Sequence, residues 1–381
     1  MAVVPRGTVA ISKGRLKRLI AACDGSIHQA ACELRWLTEA VVYRRIGSLL
    51  SRRKTIIRDC GLPVHTQQIQ PPQSVQLVLD ELSLPSVIDT AEAVEHIAET
   101  RLSAAEQCRL DRWIDQRVLD HKPLQYILGT QPFAGLDIAV RHPTLIPRWE
   151  TEEWTVALAD QIRRYQSDHA KTQASPTAPF RPLRILELCS GSGCISLALA
   201  HELGVNASIT AVDIAPAAVL LARYNQRWLG LSGVGHPSRL RFIQDDIFHH
   251  SFSSRLLSSL AAFHSLDPQD ARFDMIVANP PYISPSEYDT LDPSVKSWED
   301  KGALLAIDTL GIRFYQHIEL LAQSLLICPF RVSHEYTLPR LVFEIGHLQG
   351  SSVQQQLGPV VWSRTELRKD SAGFDRVVLK Y

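Results

Sequence analysis

The sequence has no excess of charge of either sign, no long apolar run and no paired cysteines. Forty Lys and Arg residues balance forty Asp and Glu residues, so no global field favours nucleic acid. The apolar runs fall well short of the roughly 18 residues that a membrane helix needs, and we expect no membrane span. Seven cysteines without a C-x-x-C pair argue for free thiols in a reducing compartment, and against zinc or a disulfide framework. We therefore predict no metal site.

The 381 residues are enough for two domains, and the charge is spread unevenly between them. Hydrophobic residues make up 45% of the chain, which is ordinary for a globular protein with a large core. Residues 1–59 carry twelve Lys and Arg against four Asp and Glu, and no acid precedes Asp24. This start resembles a mitochondrial presequence, although it is poor in serine, and a basic N-terminus without a targeting role is the alternative. We assign residues 1–71 to a basic extension.

The middle of the chain predicts a small helical domain and a hairpin. Apolar residues recur at helical spacing from Val87 to about His121, and Ser103 with Glu106 forms a capping box that predicts a helix start. We assign residues 72–122 to this helical domain. Residues 123–143 contain an alternating segment and are predicted to be a β-hairpin linker. The Ser-, Thr-, Gln- and Pro-rich stretch at 167–182 predicts a surface insertion.

Strand and helix patterns alternate in the second half, and we assign residues 144–381 to a catalytic domain. The predicted strands cover residues 184–189, 207–213, 240–244, 273–278, 341–345 and 376–381. Such alternation predicts an α/β fold with a mostly parallel sheet and helices on both faces. A sheet of this kind binds its ligand beyond the carboxyl ends of its strands.

Asn279, Pro280, Pro281 and Tyr282 follow one buried strand and are predicted to be the catalytic residues. The prolines end the strand, and Asn279 is biased towards an extended conformation because a proline follows it. The Asn279 side-chain oxygen and the Pro280 carbonyl can each accept one N–H of a planar NH2 group, on which Tyr282 can stack. A proline-rich turn without chemistry is the alternative.

The turn after the first predicted strand indicates the cofactor. The predicted cofactor-binding residues in it are Glu187, Cys189, Ser190, Gly191, Ser192 and Gly193. The glycines let the backbone approach a ligand. Ser196 stands where a dinucleotide fingerprint needs its third glycine, and the Lys of a P-loop is absent. Glu187 suits a cationic amino group better than a pyrophosphate.

Acids at the ends of two further strands complete the cofactor prediction. Asp213 can accept both hydroxyls of a ribose, and Asp246 can accept an adenine NH2 while Ile247 packs on the ring. An amino group, a ribose and an adenine without phosphate describe S-adenosylmethionine, and Asn279 is also predicted to contact this cofactor. The alternative is that both aspartates are helix N-caps. Cys189 and Cys194 are interpreted as small packing residues.

These segments together resemble a known family. ELCSGSGCI, AVDI, DDIF and ANPPYI are similar to the motifs of class I methyltransferases that act on planar amino groups. PLQYILG at 123–129 and LIPRWETE at 145–152 narrow the resemblance to the HemK/PrmC family, which methylates the glutamine of the Gly-Gly-Gln loop in peptide-chain release factors. The resemblance implies a Rossmann-like class I fold, S-adenosylmethionine as cofactor and direct methyl transfer, with Tyr282 shaping the glutamine pocket.

The resemblance also implies partners and a location. The helical module is expected to dock the release factor, and its presence favours the bacterial or mitochondrial type. With the basic first segment, the mitochondrial matrix is the first choice and the cytoplasm the alternative. We expect a monomer that does not bind nucleic acid directly.

Several features depart from the family pattern. The family usually has Asp at Glu187 and Gly at Cys189, and its V-x-x-E-P-x-x-A-L segment here lacks the proline and is one residue longer. Residues 249–272 exceed the usual pattern. Arg148 and Glu150 either order the substrate entrance or form a structural ion pair.

Three rival functions remain. An adenine-N6 DNA or RNA methyltransferase shares the NPPY motif, but zero net charge argues against it. An NAD-linked dehydrogenase is disfavoured by Ser196. An inactive RNA- or ribosome-binding protein is disfavoured by the intact NPPY motif and glycine turn, although residues 1–59 could bind RNA.

Overall fold

A computed structural model describes six parts of the chain, which form two compact units. The described residues are 6–42, 102–172, 181–232, 239–327, 338–356 and 362–381. The units are Met1–Leu128 and Gly129–Tyr381. Parts of the predicted basic extension, helical module and surface insertion lie outside the described residues.

The first unit contains helices that share one apolar core. Its helices are α1 (Arg6–Ala22), α2 (27–42), α3 (Ala104–Leu119) and α4 (Leu124–Leu128). The predicted capping box is confirmed, because the Ser103 hydroxyl accepts from the Glu106 N–H and the Glu106 carboxylate accepts from the Ser103 N–H. The core includes Leu19, Leu34, Leu37, Val41, Leu110, Ile114 and Ile127.

Charged pairs join α1 and α2 to α3. The Arg15 guanidinium donates two bonds of 2.9 Å to Asp111, and Arg117 on α3 binds the buried Glu33 on α2. The described N-terminal residues therefore belong to the helical unit, and not to a separate extension over 1–71. A basic amphipathic segment has the same sequence pattern whether it is a presequence or a helix that packs against an acidic neighbour.

The predicted hairpin is confirmed, but it belongs to the second unit. Strands β1 (Thr130–Phe133) and β2 (Leu136–Ala139) pair antiparallel. Apolar side chains of both strands are buried in the core of that unit. The carboxamide of Asn225 also binds the N–H and the C=O of Ala139, at 2.9 and 3.0 Å. The hairpin is therefore a packed part of the catalytic unit and not a linker.

A seven-stranded sheet forms the centre of the second unit. Its strands are β3 (Leu183–Leu188), β4 (Ala207–Asp213), β5 (Arg239–Gln244), β6 (Met275–Ala278), β7 (Leu341–Glu344), β8 (Thr365–Lys369) and β9 (Asp375–Lys380). The order is β5-β4-β3-β6-β7-β9-β8, in which the first five strands are parallel and β9 is antiparallel to both of its neighbours. The mostly parallel sheet is confirmed.

Helices cover both faces of this sheet. The helices are α5 (Trp149–Thr172), α6 (Cys194–Leu203), α7 (Pro216–Trp228), α8 (Phe252–His264), α9 (Pro285–Asp289), α10 (Pro293–Lys296), α11 (Lys301–Leu304), α12 (Arg313–Leu325) and α13 (Gly350–Gln356), with a 3-10 turn at Gly204–Asn206. Successive residues of a strand face opposite sides. Ile185 accordingly packs with α5, α6 and α7, whereas Leu186 packs with α8 and α12. In the described part of the chain, no helix combines the length and hydropathy that a membrane crossing needs.

Two elements differ from the sequence-based expectation. Residues 249–272, interpreted as an insertion, contain α8, which buries Phe252, Leu256 and Leu260 against the sheet as the crossover between β5 and β6. Strand β8 was not predicted, because its sequence TELRK is polar and it lies at the sheet edge, where one side needs no strand partner.

Candidate active site

The register of the sheet brings the predicted site residues to one edge. Leu188 pairs with both Val212 and Ala278, and Ala278 pairs with Phe343. The carboxyl ends of β3, β4, β6 and β7 are therefore level. Asp213 is the last residue of β4, and the glycine turn and Asn279 directly follow β3 and β6, so the structure places them side by side.

The glycine turn is tied to the end of β4. The Ser190 N–H donates to the Val212 carbonyl at 3.1 Å, and the Gly191 N–H donates to Asp213 Oδ2 at 2.8 Å. Gly193 has φ of +80°, and a Cβ there would lie 2.9 Å from the Phe242 ring. Glycine at this position therefore serves both the turn and the packing of α6.

Glu187 lies under this turn and is fully buried. Its Oε2 accepts from the N–H and the hydroxyl of Ser196, the residue that replaces the third glycine of a dinucleotide fingerprint. Burial raises the pKa of Glu187 to about 8. Glu187 Oε1 and the Ser190 hydroxyl are buried and have no hydrogen-bond partner among the described residues. Two such atoms fit a site that receives a polar group from a ligand.

The two predicted aspartates keep acceptor capacity for a ligand. Asp213 Oδ1 accepts from the Ala215 N–H and Asp246 Oδ1 accepts from the Phe248 N–H. In each case the donor lies two residues further along the chain. Each carboxylate has about four acceptor sites, so bonds to hydroxyls or an NH2 group remain available. The alternative that these aspartates are N-caps is wrong, because Ala215 and Ser251 occupy those positions of α7 and α8. Ile247 is buried beside Asp246.

Both cysteines that flank the turn are packing residues in the structure. Cys189 has φ of +61°, which is strained for a side chain other than glycine and explains the glycine usual in the family. Burial raises the pKa of the Cys194 thiol to about 12, and it raises the pKa of Cys189 further. The described residues contain no cluster of His, Cys, Asp and Glu with the arrangement of a metal site.

The NPPY segment is held from two sides. The Tyr282 hydroxyl donates to Glu344 Oε1 at 3.2 Å, and the Gln349 amide donates to the Tyr282 carbonyl at 3.0 Å. Burial raises the pKa of Tyr282, so the phenol stays neutral and remains a donor. The Asn279 Nδ2 donates to the Thr151 hydroxyl at 3.3 Å. Pro280 and Pro281 are buried, while Asn279 and Tyr282 are partly exposed and accessible to a substrate.

Glu344 was missed by the sequence analysis, although it ends a buried strand as Asp213 does. It is 1% exposed, and its Oε2 accepts from the Thr151 hydroxyl at 2.7 Å and from Trp154 Nε1 at 2.9 Å. Burial raises its pKa. The acid near the end of the apolar run 341–345 could have predicted a site residue, since Asp213 was found from the same pattern. Thr151 lies in the LIPRWETE segment, but nothing in that segment indicates its partners.

Arg148 pairs with Glu299 and not with Glu150. The Arg148 Nη2 donates to both Glu299 oxygens, at 2.7 and 2.8 Å, and the Glu299 side chain is only 1% exposed. Burial raises the pKa of Glu299, while the guanidinium opposes that shift. The neighbouring Asp300 N–H donates to the Pro143 carbonyl at 2.7 Å. The structural ion pair anchors the loop that departs from the family pattern.

Comparisons with known proteins identify the family. A model described as a methyltransferase domain matches residues 180–297. The chain is 34% identical over 264 residues to the protein named probable MRF1 mitochondrial N(5)-glutamine methyltransferase mtq1 of Schizosaccharomyces pombe, covering 68% of this chain and 74% of that one. The chain belongs to the release factor glutamine methyltransferase family. Its class I methyltransferase fold follows from the domain match and the sheet.

Bacterial members of this glutamine methyltransferase family are similar over comparable lengths. The release factor glutamine methyltransferase of Geobacter sulfurreducens is 31% identical over 276 residues, covering 72% of this chain and 78% of that protein. The one of Fusobacterium nucleatum is 33% identical over 263 residues, covering 69% of this chain and 61% of that protein. The resemblance inferred from the sequence motifs is confirmed.

Proposed function

We propose that this enzyme methylates the side-chain amide nitrogen of the glutamine in the Gly-Gly-Gln loop of a peptide-chain release factor, with S-adenosylmethionine as the donor. The observation that carries this proposal is the adjacency of the NPPY corner, at the end of β6, to the glycine turn after β3. Relatives named for release factor glutamine methylation support the substrate. The mitochondrial name of the Schizosaccharomyces pombe relative supports action on a mitochondrial release factor in the matrix.

The residues around the turn suit the donor. We assign the ammonium group to Glu187 and Ser190, the ribose to Asp213, and the adenine to Asp246 and Ile247. Cys189, Gly191, Ser192 and Gly193 complete the set of residues that we assign to the donor. When bound, S-adenosylmethionine supplies an electrophilic methyl group on a sulfonium.

The NPPY residues orient the acceptor. An amide nitrogen is a poor nucleophile because its lone pair is delocalised into the carbonyl. Asn279 Oδ1 and the Pro280 carbonyl accept its two N–H groups, Pro281 fixes the turn, and Tyr282 stacks on the amide plane. With the donor bound, the oriented nitrogen would accept the methyl group, the sulfonium would leave as a neutral thioether, and the nitrogen would give up one proton. Positioning of this kind can lower a barrier by about 7 kcal/mol.

The helical unit and the oligomeric state are further parts of the proposal. We assign the helices of the first unit to docking of the release factor, and the protein to a monomeric state. The paired basic residues of α1 leave less positive charge available for RNA. A truncated chain that begins at Gly129 is expected to bind S-adenosylmethionine with unchanged affinity but to have a raised KM for the release factor.

The test is incubation with methyl-labelled S-adenosylmethionine and a mitochondrial release factor. We expect label in the wild-type factor and none in its Gln→Ala form. DNA and RNA serve as parallel substrates, and label in either would favour the adenine-N6 alternative. Label in the Gln→Ala form would refute the proposed substrate site.

A further inference from the structure

Thr151 lies between the NPPY corner and the buried Glu344. Thr151 lies in the first turn of α5 and is 3% exposed. Its hydroxyl oxygen is 2.7 Å from Glu344 Oε2 and 3.3 Å from Asn279 Nδ2. These contacts join residues of three separate elements, because Glu344 ends β7 and Asn279 follows β6.

The direction of these bonds is determined by the chemistry of the partners. Both Glu344 oxygens accept hydrogen bonds: Oε2 accepts at 2.9 Å from the indole N–H of Trp154, which can only donate, and Oε1 accepts from the Tyr282 hydroxyl at 3.2 Å. The single hydroxyl hydrogen of Thr151 therefore points to Glu344. The lone pairs of the same oxygen remain for Asn279, which must present its NH2 group to Thr151.

This direction decides which end of the Asn279 carboxamide meets a substrate. With Nδ2 bound to Thr151, Oδ1 is the end that can accept a substrate N–H. The reversed carboxamide would place two N–H donors against the N–H groups of the acceptor amide, where neither side can accept. The two ends of an asparagine carboxamide have nearly the same shape, so its hydrogen bonds decide which end faces the substrate.

We propose that Thr151 is a positioning residue, which fixes the Asn279 carboxamide with its oxygen towards the methyl-accepting amide, and that Glu344 sets the direction of the Thr151 hydroxyl. This role rests on the proposed function of Asn279. Thr151 itself does not touch the reacting atoms. Its effect is on the orientation of the acceptor, and not on the affinity for the donor.

The chain offers matched variants for the test. Thr151→Val keeps the branched shape and removes the hydroxyl, while Thr151→Ser restores the hydroxyl. Thr155→Val is the control, because Thr155 lies one turn further on α5, is 1% exposed and, within the described part of the chain, its hydroxyl donates at 2.7 Å to the Thr151 carbonyl and not to the site. All three variants are measured for kcat, for KM with the release factor and for binding of S-adenosylmethionine.

We expect Thr151→Val to lower kcat about tenfold or more, with KM and donor affinity changed by less than about threefold. Thr151→Ser should recover most of kcat, and Thr155→Val should stay within about twofold of the wild type. Adding Thr151→Val to Asn279→Ala should cause no further loss, since Thr151 acts only through Asn279. Wild-type kcat in Thr151→Val, equal losses in both valine variants, or additive losses would each refute the proposal.

A second measurement needs no substrate and therefore separates this proposal from the proposed function. The chain has three asparagines, Asn206, Asn225 and Asn279, so selective 15N labelling of asparagine gives three side-chain NH2 signals in NMR spectra. The Asn279 signal is assigned with Asn279→Ala. We expect the chemical shift of the Asn279 NH2 signal to change in Thr151→Val and to stay the same in Thr155→Val. The Asn225 signal serves as an internal reference. An unmoved Asn279 signal in Thr151→Val would overturn the proposal.

Discussion

Donor binding should release a proton from Glu187. Burial raises the pKa of this carboxyl to about 8, so roughly nine tenths of the ligand-free protein is protonated there at pH 7. An ammonium group beside Glu187 Oε1 favours the ionised form. We expect about 0.9 proton to be released per donor bound at pH 7, and about 0.1 at pH 9.

The assay is isothermal titration calorimetry in buffers that differ in ionisation enthalpy. Glu187→Gln has the same shape and no charge, so it reports any titration of the ligand's own amino group. The difference between wild type and variant isolates Glu187. An equal proton release in both proteins at pH 7 would refute the assignment of Glu187 to the ammonium group.

The raised pKa of Glu187 also predicts how the stability of the ligand-free protein depends on pH. The native carboxyl keeps its proton up to about pH 8, whereas the unfolded one loses it near its ordinary value of 4.5. Between these values the folded state binds more protons, so this group lowers stability as pH rises. The slope is about 1.4 kcal/mol per pH unit around pH 6. Denaturant titrations at pH 5.5 and 7.5 should show this slope in wild type relative to Glu187→Gln, and equal slopes would contradict it.

Two further substitutions and one chemical treatment test the packing around the site. Gly193→Ala should lower the free energy of unfolding by about 2–4 kcal/mol, since the new methyl group meets an aromatic ring 2.9 Å away at a positive φ. Arg148→Met should lower the free energy of unfolding by about 3 kcal/mol in denaturant titrations, because it removes the guanidinium that pairs with the buried Glu299. Iodoacetamide at pH 8 should alkylate the exposed Cys108 before Cys194, whose thiol pKa is raised to about 12, as mass spectrometry of peptides would show.

Each of these has its own control. Gly191→Ala has a positive φ but open space around its Cβ, so it should cost only about 1 kcal/mol. Equal losses at the two glycines would contradict the steric argument. Glu299→Gln should cost less than Arg148→Met, because the charge that it leaves unpaired is that of Arg148, which is one third exposed. Rapid alkylation of Cys194 in the folded protein would contradict its burial.

The sequence was most informative where a chemical group directly follows a buried strand. Asp213 and Asn279 were found this way, since apolar runs mark parallel strands and their carboxyl ends share one edge. The Thr151–Glu344 contact could not be predicted, because its residues are 193 positions apart and only the fold brings them together. Likewise, the basic charge of α1 suggested an extension until its acidic partners on α3 were located.

Tandem mass spectrometry of the release factor tests the central claim most directly. After incubation with the enzyme and S-adenosylmethionine, we predict one added methyl group on the side-chain amide of the Gly-Gly-Gln glutamine. The same amount of Asn279→Ala, with donor affinity retained, should leave that glutamine unmodified. A methyl group on another residue, or equal modification by Asn279→Ala, would contradict the account.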